Sequence, residues 1–200
     1  MKKYTIYGMG AALVDTEIQV QDTELNAMGV DKGLMTLVDE SRQAELLAQL
    51  EGHLVKASHA SGGSAGNSMI AAAQFGAPTF MSCKVADDAD GAIYVQDLEQ
   101  AGVAHSMAQR PAGTTGKCLV LISPDAERSM NTFLGISETL SIEQLDPTAL
   151  ADSEYLYIEG YLVTSDAGRA AAIRARELAE AAGVKTVLSF SDPGMVEFFR

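Results

Sequence analysis

Ser61-Gly62-Gly63-Ser64-Ala65-Gly66-Asn67-Ser68 is the stretch on which the reading of this chain turns. Its three glycines let the backbone come close to a ligand, and it opens onto a helix whose first amides have no partner within the helix. Ser64 and Asn67 add neutral groups of the kind that hydrogen-bond hydroxyls. On residue types alone the octet reads equally as a linker or as a binding loop. The helix behind it is expected over 67–75, where alanines dominate, with Gly76 and Pro78 ending it.

Working outward from that loop, short β-rich runs alternate with helical patterns. Strands are expected at 4–9, 55–59, 79–85, 155–159 and 185–190, and helices at 39–50, 91–100 and 166–182. Asp39 or Ser41 would cap the first of those helices. Such alternation predicts an α/β fold whose sheet is mostly parallel and flanked by helices. Two groups break it: apolar/polar runs at 17–20 and 33–38, and runs at 103–107, 117–123 and 130–134. These suggest a small antiparallel β lid on the core, drawn from segments of about 16–38 and 103–134 of one domain spanning 1–200.

The charge narrows the function classes. Among 200 residues, 27 acidic and 14 basic side chains leave a formal charge of −13. With a pI near 4.5 and no basic run longer than Lys2-Lys3, neither a nucleic-acid nor an anionic membrane partner is expected. No stretch approaches the roughly 20 apolar residues of a membrane span, and Val14-Asp-Thr-Glu offers no signal-peptide cleavage site. Cys83 and Cys118 sit in apolar runs without a second Cys or His at ligand spacing, which points to buried free thiols in a reducing, cytoplasmic setting.

Several motifs invite competing readings. Gly8-Met-Gly10-Ala-Ala-Leu13 follows a strand but lacks the third glycine of a dinucleotide fold, so the glycines are read as letting Asp15 turn toward a ligand. Gly113-Thr-Thr-Gly-Lys117 is too short for a phosphate loop and reads as a hairpin turn. Asp87-Asp88-Ala-Asp90 reads as an acidic N-cap, and the arginines of 166–182 as a solvated face. His53, His59 and His105 lie in separate elements and form no catalytic or metal set.

Gly62-Gly63-x-x-x-Asn67-Ser68, with Gly76 and then Gly91 after Asp87-Asp88-Ala-Asp90, resembles the N-terminal signature of the ribokinase-like (PfkB) family of carbohydrate and nucleoside kinases. Gly8-x-Gly10 with Leu13-Val-Asp15 is similar to that family's first strand and its substrate-binding aspartate. The run 126–134, Tyr155–Gly160 and Val187–Pro193 continue the likeness in order. The resemblance implies a ribokinase-like core with a β lid. It implies that Asp15 accepts hydrogen bonds from substrate hydroxyls, that Gly62, Gly63, Ser64 and Asn67 line the same pocket, and that Glu159 touches the sugar. Arg128 would come in from the lid, or pair with Asp125 or Glu127 at the surface. Asp15 and Glu159 also read as ordinary strand-end carboxylates.

The activity so implied is ATP-dependent phosphorylation of a hydroxymethyl group on a sugar or nucleoside (ribose-, fructose- or adenosine-like). ATP and Mg2+ are the implied cofactors, with a monovalent cation as a further candidate. The family's Gly-Ala-Gly-Asp motif, which carries the catalytic base, matches nothing in these 200 residues, nor does its magnesium-linked Asn-x-x-Glu motif. The base and the ATP site are therefore expected beyond Arg200, and the 200 residues alone are expected to be inactive. A non-catalytic sugar- or nucleoside-binding module is the alternative, and a dinucleotide-dependent oxidoreductase a third. Pairing of two chains through the lid, which the alternating apolar residues at 34–38 and 117–122 would suit, is a further expectation.

Overall fold

The computed structural model describes residues 2–56, 58–107 and 109–199. Strand β1 (Tyr4–Met9) passes through Gly10–Ala12 into β2 (Leu13–Gln19). Helix α1 (Asp22–Met28), strand β3 (Met35–Leu37), helix α2 (Glu40–Gln49) and strand β4 (Ser58–Gly62) follow. Then come α3 (Ser64–Gln74), β5 (Thr79–Ser82), α4 (Ala89–Gln100), β6 (Ala104–His105), β7 (Gly116–Ile122) and β8 (Arg128–Phe133). The last elements are α5 (Pro147–Ala151), β9 (Ser153–Ile158), α6 (Asp166–Ala181), β10 (Lys185–Leu188) and α7 (Pro193–Phe198).

Two five-stranded sheets result. The first has the order β10-β9-β1-β5-β6, with every neighbouring pair parallel. Its central strands β1 and β5 are largely buried between helices, as parallel sheets require, while β10 at the edge is exposed. Tyr7 of β1 stacks on Phe80 of β5 with centroids 5.1 Å apart. On α6, Ala171, Ala175 and Ala179 recur every fourth residue and are fully buried, while Arg174 and Arg176 pair outward with Glu177 and Glu180.

The second sheet has the order β3-β8-β7-β2-β4 and is two-faced. Ile18, Leu119 and Leu121 point to one side and pack with Leu25 of α1 and Leu46 of α2. Each such burial stabilises by roughly 1.5–3 kcal/mol. Alternation along the strands then sends Leu13 and Asp15 of β2, Cys118 of β7, and Arg128, Met130 and Thr132 of β8 to the other side. Asp15 lies level with Cys118, and Cys118 with Thr132, so these three form one row across the sheet.

Three expectations are corrected. The second sheet is mixed rather than antiparallel: β2 runs parallel to β7 and β3 to β8, because the connections between them cross over instead of turning back. The segment at 104–105 belongs to the first sheet beside β5. Residues 113–117 form no hairpin, since β6 and β7 lie in different sheets. They are a crossing between the sheets, where Thr115 donates to the Asp88 carboxylate at 2.6 Å. Residues 117–122 lie inside the second sheet between β8 and β2, which leaves β3 and β4 as its edges.

Smaller shifts concern boundaries. The strand expected at 55–59 begins at Ser58 and runs to Gly62, and the helix expected from Asn67 begins at Ser64. Ala57 and the His59 side chain fall outside the described residues. Asp39 caps α2, and Asp88 caps α4 by accepting from the Gly91 amide. Both cysteines are buried and free, and burial pushes each thiol up to about 12. Among the described residues no helix is long and apolar enough to cross a membrane.

Candidate functional site

The carboxyl ends of β1 and β9 in the first sheet face the polar row of the second sheet across a cleft of about 230 Å³. Ligands bind at such strand ends in open α/β sheets. The chain crosses between the sheets at Gly10–Ala12 and Gly62–Gly63, so the cleft floor is made of backbone.

Asp15 projects into the cleft from β2. Its Oδ1 is buried and has no hydrogen-bond partner among the described residues. Burial raises its pKa to about 6; nearby Arg128 opposes that shift and Glu17 adds to it. The neighbouring strand makes room for this carboxyl only because residue 62 has no side chain. A Cβ there would lie 1.9 Å from Asp15 Oδ1. Oδ1 therefore packs against the Gly62 backbone, while the carboxyl as a whole lines the cleft.

Glu159, at the end of β9, is fully buried. Its Oε2 accepts from the Ala11 amide at 2.7 Å, and its Oε1 from Ser64 Oγ at 2.5 Å and the Ala65 amide at 3.1 Å. Burial pushes its pKa up, while these donors favour the charged form. Gly10 must be a glycine for the same reason as Gly62, since a Cβ would meet Glu159 Oε2 at 2.7 Å. The two carboxylates thus differ: Asp15 Oδ1 has no donor among the described residues, and both oxygens of Glu159 are engaged by protein donors.

Of the residues singled out in the sequence, Asp15, Gly63, Ser64, Asn67, Arg128 and Glu159 all line this one cleft, and Gly62 backs the Asp15 carboxyl. Arg128 takes neither sequence-expected surface partner: its Nη2 donates to Glu17 Oε1 at 2.9 Å on the rim. Opposite Glu159, Ser137 Oγ donates to the Ala12 carbonyl at 2.7 Å, so the 10–12 crossing is held from both sides.

Sequence reasoning missed the far wall. Tyr161, Thr164 and Ser191 line it; Tyr161 Oη donates to Asp192 Oδ2 at 2.8 Å and Ser191 Oγ accepts from the Tyr161 amide. Ser191 has φ +66°, a left-handed backbone uncommon outside glycine. The signal available was the Ser191-Asp-Pro193 break after β10 at the same sheet edge. Met35, Leu37, Met130 and Leu134 supply an apolar wall from the second sheet. Among the described residues no group of three His, Cys, Asp or Glu side chains could hold a metal ion.

The chain was then compared with known proteins. Residues 33–197 match the pfkB family carbohydrate kinase description. Comparison with curated proteins found no match. Among solved structures, the chain is similar to adenosine kinase from Sinorhizobium meliloti, with 33% identity and a TM-score of 0.92. That match covers 98% of this chain and 59% of that one. A probable sugar kinase from Rhizobium etli gives 31% identity, a TM-score of 0.92 and the same coverage of 98% and 59%. An adenosine kinase from Anopheles gambiae, solved with P1,P4-di(adenosine-5) tetraphosphate, shares the fold at 23% identity and a TM-score of 0.86, over all of this chain and 60% of its own. The chain therefore spans about three fifths of the length of these structures. With its parallel sheet, its second sheet and a family match over most of its length, the chain belongs to the pfkB family of carbohydrate kinases.

Proposed function

We propose that this chain forms the acceptor-binding part of an ATP-dependent kinase that phosphorylates a hydroxymethyl group of a sugar or nucleoside. The observation that carries the reading is the strand-end cleft in which the Asp15 carboxyl meets Gly63, Ser64 and Asn67. Asp15 accepts hydrogen bonds from acceptor hydroxyls; Ser64, Asn67 and the backbone at Gly62 and Gly63 complete the polar side. Arg128 closes the rim. The second sheet acts as a lid over the bound acceptor, excluding water that would otherwise take the phosphoryl group.

ATP as phosphoryl donor, with magnesium, and a base that deprotonates the acceptor hydroxyl complete this reading. This chain's own contribution is binding and orientation, the larger part of what phosphoryl transfer needs from an acceptor site. The test is a coupled ADP-release assay of the protein as the cell produces it, with ribose, fructose and adenosine. ADP formation with one of them is expected. Saturable binding with no ADP formed would favour the non-catalytic binding module, and no response of either kind would remove the acceptor-site reading.

A further inference from the structure

Gly62 and Gly63 permit the turn between β4 and α3 but do not fix it, because glycine is the most permissive residue of the chain. Gly62 leaves room for the Asp15 carboxyl, and Gly63, at φ +85°, would bring a Cβ to 2.4 Å from the Ala11 carbonyl oxygen. The geometry of this turn therefore has to be imposed by neighbouring elements. One of them is helix α4, which contributes no residue to the lining of the cleft.

Tyr94 and Asp97 stand three residues apart on α4 and share a face. Asp97 Oδ2 accepts from the Ser61 amide at 2.9 Å, directly before the two glycines. β4 is an edge strand of the second sheet, and an edge amide turned away from its neighbouring strand needs an acceptor from elsewhere. Directly after the turn, the fully buried Tyr94 packs against Gly66 in the first turn of α3. A Cβ at Gly66 would lie 2.4 Å from the Tyr94 hydroxyl oxygen. The same helix also holds the start of β7: Asp88 accepts from the Thr115 amide at 2.8 Å, and Asp90 pairs with Lys117 at 2.8 Å. Helix α4 is thus tied to both sheets, and Ser61 to Gly66 is spanned between two of its side chains.

We infer that Asp97 is a positioning residue. It touches no ligand, and through the Ser61 amide it sets the Gly62-Gly63 turn and with it the placing of Ser64 and Asn67 beside Asp15. This inference rests on the reading of the cleft as the acceptor site.

The test uses the protein as the cell produces it, in native form and as Asp97→Ala and Asp97→Asn. Asp97 is half-buried at the surface, so both variants should fold. Each protein is titrated calorimetrically with adenosine, ribose and fructose, and amide hydrogen exchange is followed without ligand. For a compound that the native protein binds, Asp97→Ala should bind at least tenfold more weakly. Asp97→Asn keeps an acceptor oxygen and should bind within threefold of native. Exchange at 61–64 should quicken in Asp97→Ala alone, with α6 unchanged. Native affinity in Asp97→Ala, or equal weakening in both variants, would overturn the inference and leave the acceptor-site reading intact. Weakened binding with unchanged exchange at 61–64, or with exchange quickened through α6 as well, would also overturn it, the latter marking a merely structural role. Binding of none of the three compounds by the native protein would overturn both.

Discussion

Asp15 holds a destabilising position that serves binding. Its folded-state pKa is raised from 3.8 to about 6, so between those values the folded chain binds more protons than the unfolded one. Stability from this group is present at low pH and is lost as pH rises from about 4 to 6, staying lost above that. Asp15→Asn should therefore be more stable than the native chain at pH 7, by up to about 3 kcal/mol from the shift alone, while its ligand affinity falls by two orders of magnitude or more. Denaturant unfolding and calorimetry read the two effects separately. A variant that loses both stability and binding would mark Asp15 as a structural residue.

Among the elements, the hairpin joining β7 to β8 turns at Ala126, whose φ of +66° lies in the left-handed region. Burdening a residue that has a Cβ with this conformation costs about 1–2 kcal/mol. Ala126→Gly should recover about 1 kcal/mol in denaturant unfolding and leave ligand affinity unchanged, because the turn lies beyond the cleft lining. A loss of stability would show that the turn is not strained.

Helix α3 shows why some elements were legible and others were not. Its body was readable from the alanines of 67–75, but its first turn was not, since Gly63 offers no capping side chain and the compensating acceptor, Glu159, stands 94 residues away from Ala65. Helix α1 was missed although Gln21 and Glu24 form a capping box and Gly29 a left-handed stop. Only Leu25 and Met28 are buried on its seven residues, too short a pattern to register against propensity. The strands of the second sheet were legible as strands, but their partners were not. Whether β2 pairs parallel or antiparallel with β7 is set by a crossover some hundred residues long, and local alternation carries no record of it. The polar side of the cleft was foreseen through the glycine loop and Asp15, whereas Tyr161 and Ser191 reach it only through the three-dimensional arrangement of β9 and β10.

At the scale of the whole molecule, the cleft exists because the chain crosses repeatedly between a helix-covered parallel sheet and a two-faced mixed sheet. The cleft side of the second sheet is apolar at Met35, Leu37 and Met130 and is backed by α1 and α2 on the other. Ligand should therefore tie the two sheets together. Amide hydrogen exchange should slow on binding at 35–37, 62–67 and 128–133, and stay unchanged through α6, which packs on the first sheet away from the second. Protection spread evenly over the chain would argue for general stabilisation without closure.

The central claim, that the ionised Asp15 carboxylate is the acceptor for substrate hydroxyls, is tested most directly by the affinity of the native chain for its neutral ligand between pH 7.5 and 5, measured beside Asp15→Asn. The account predicts constant affinity above about pH 6, weakening toward tenfold per pH unit below it as the carboxylate protonates, and binding at least a hundredfold weaker in Asp15→Asn throughout. A flat profile in the native chain, or native affinity in the variant, would contradict it.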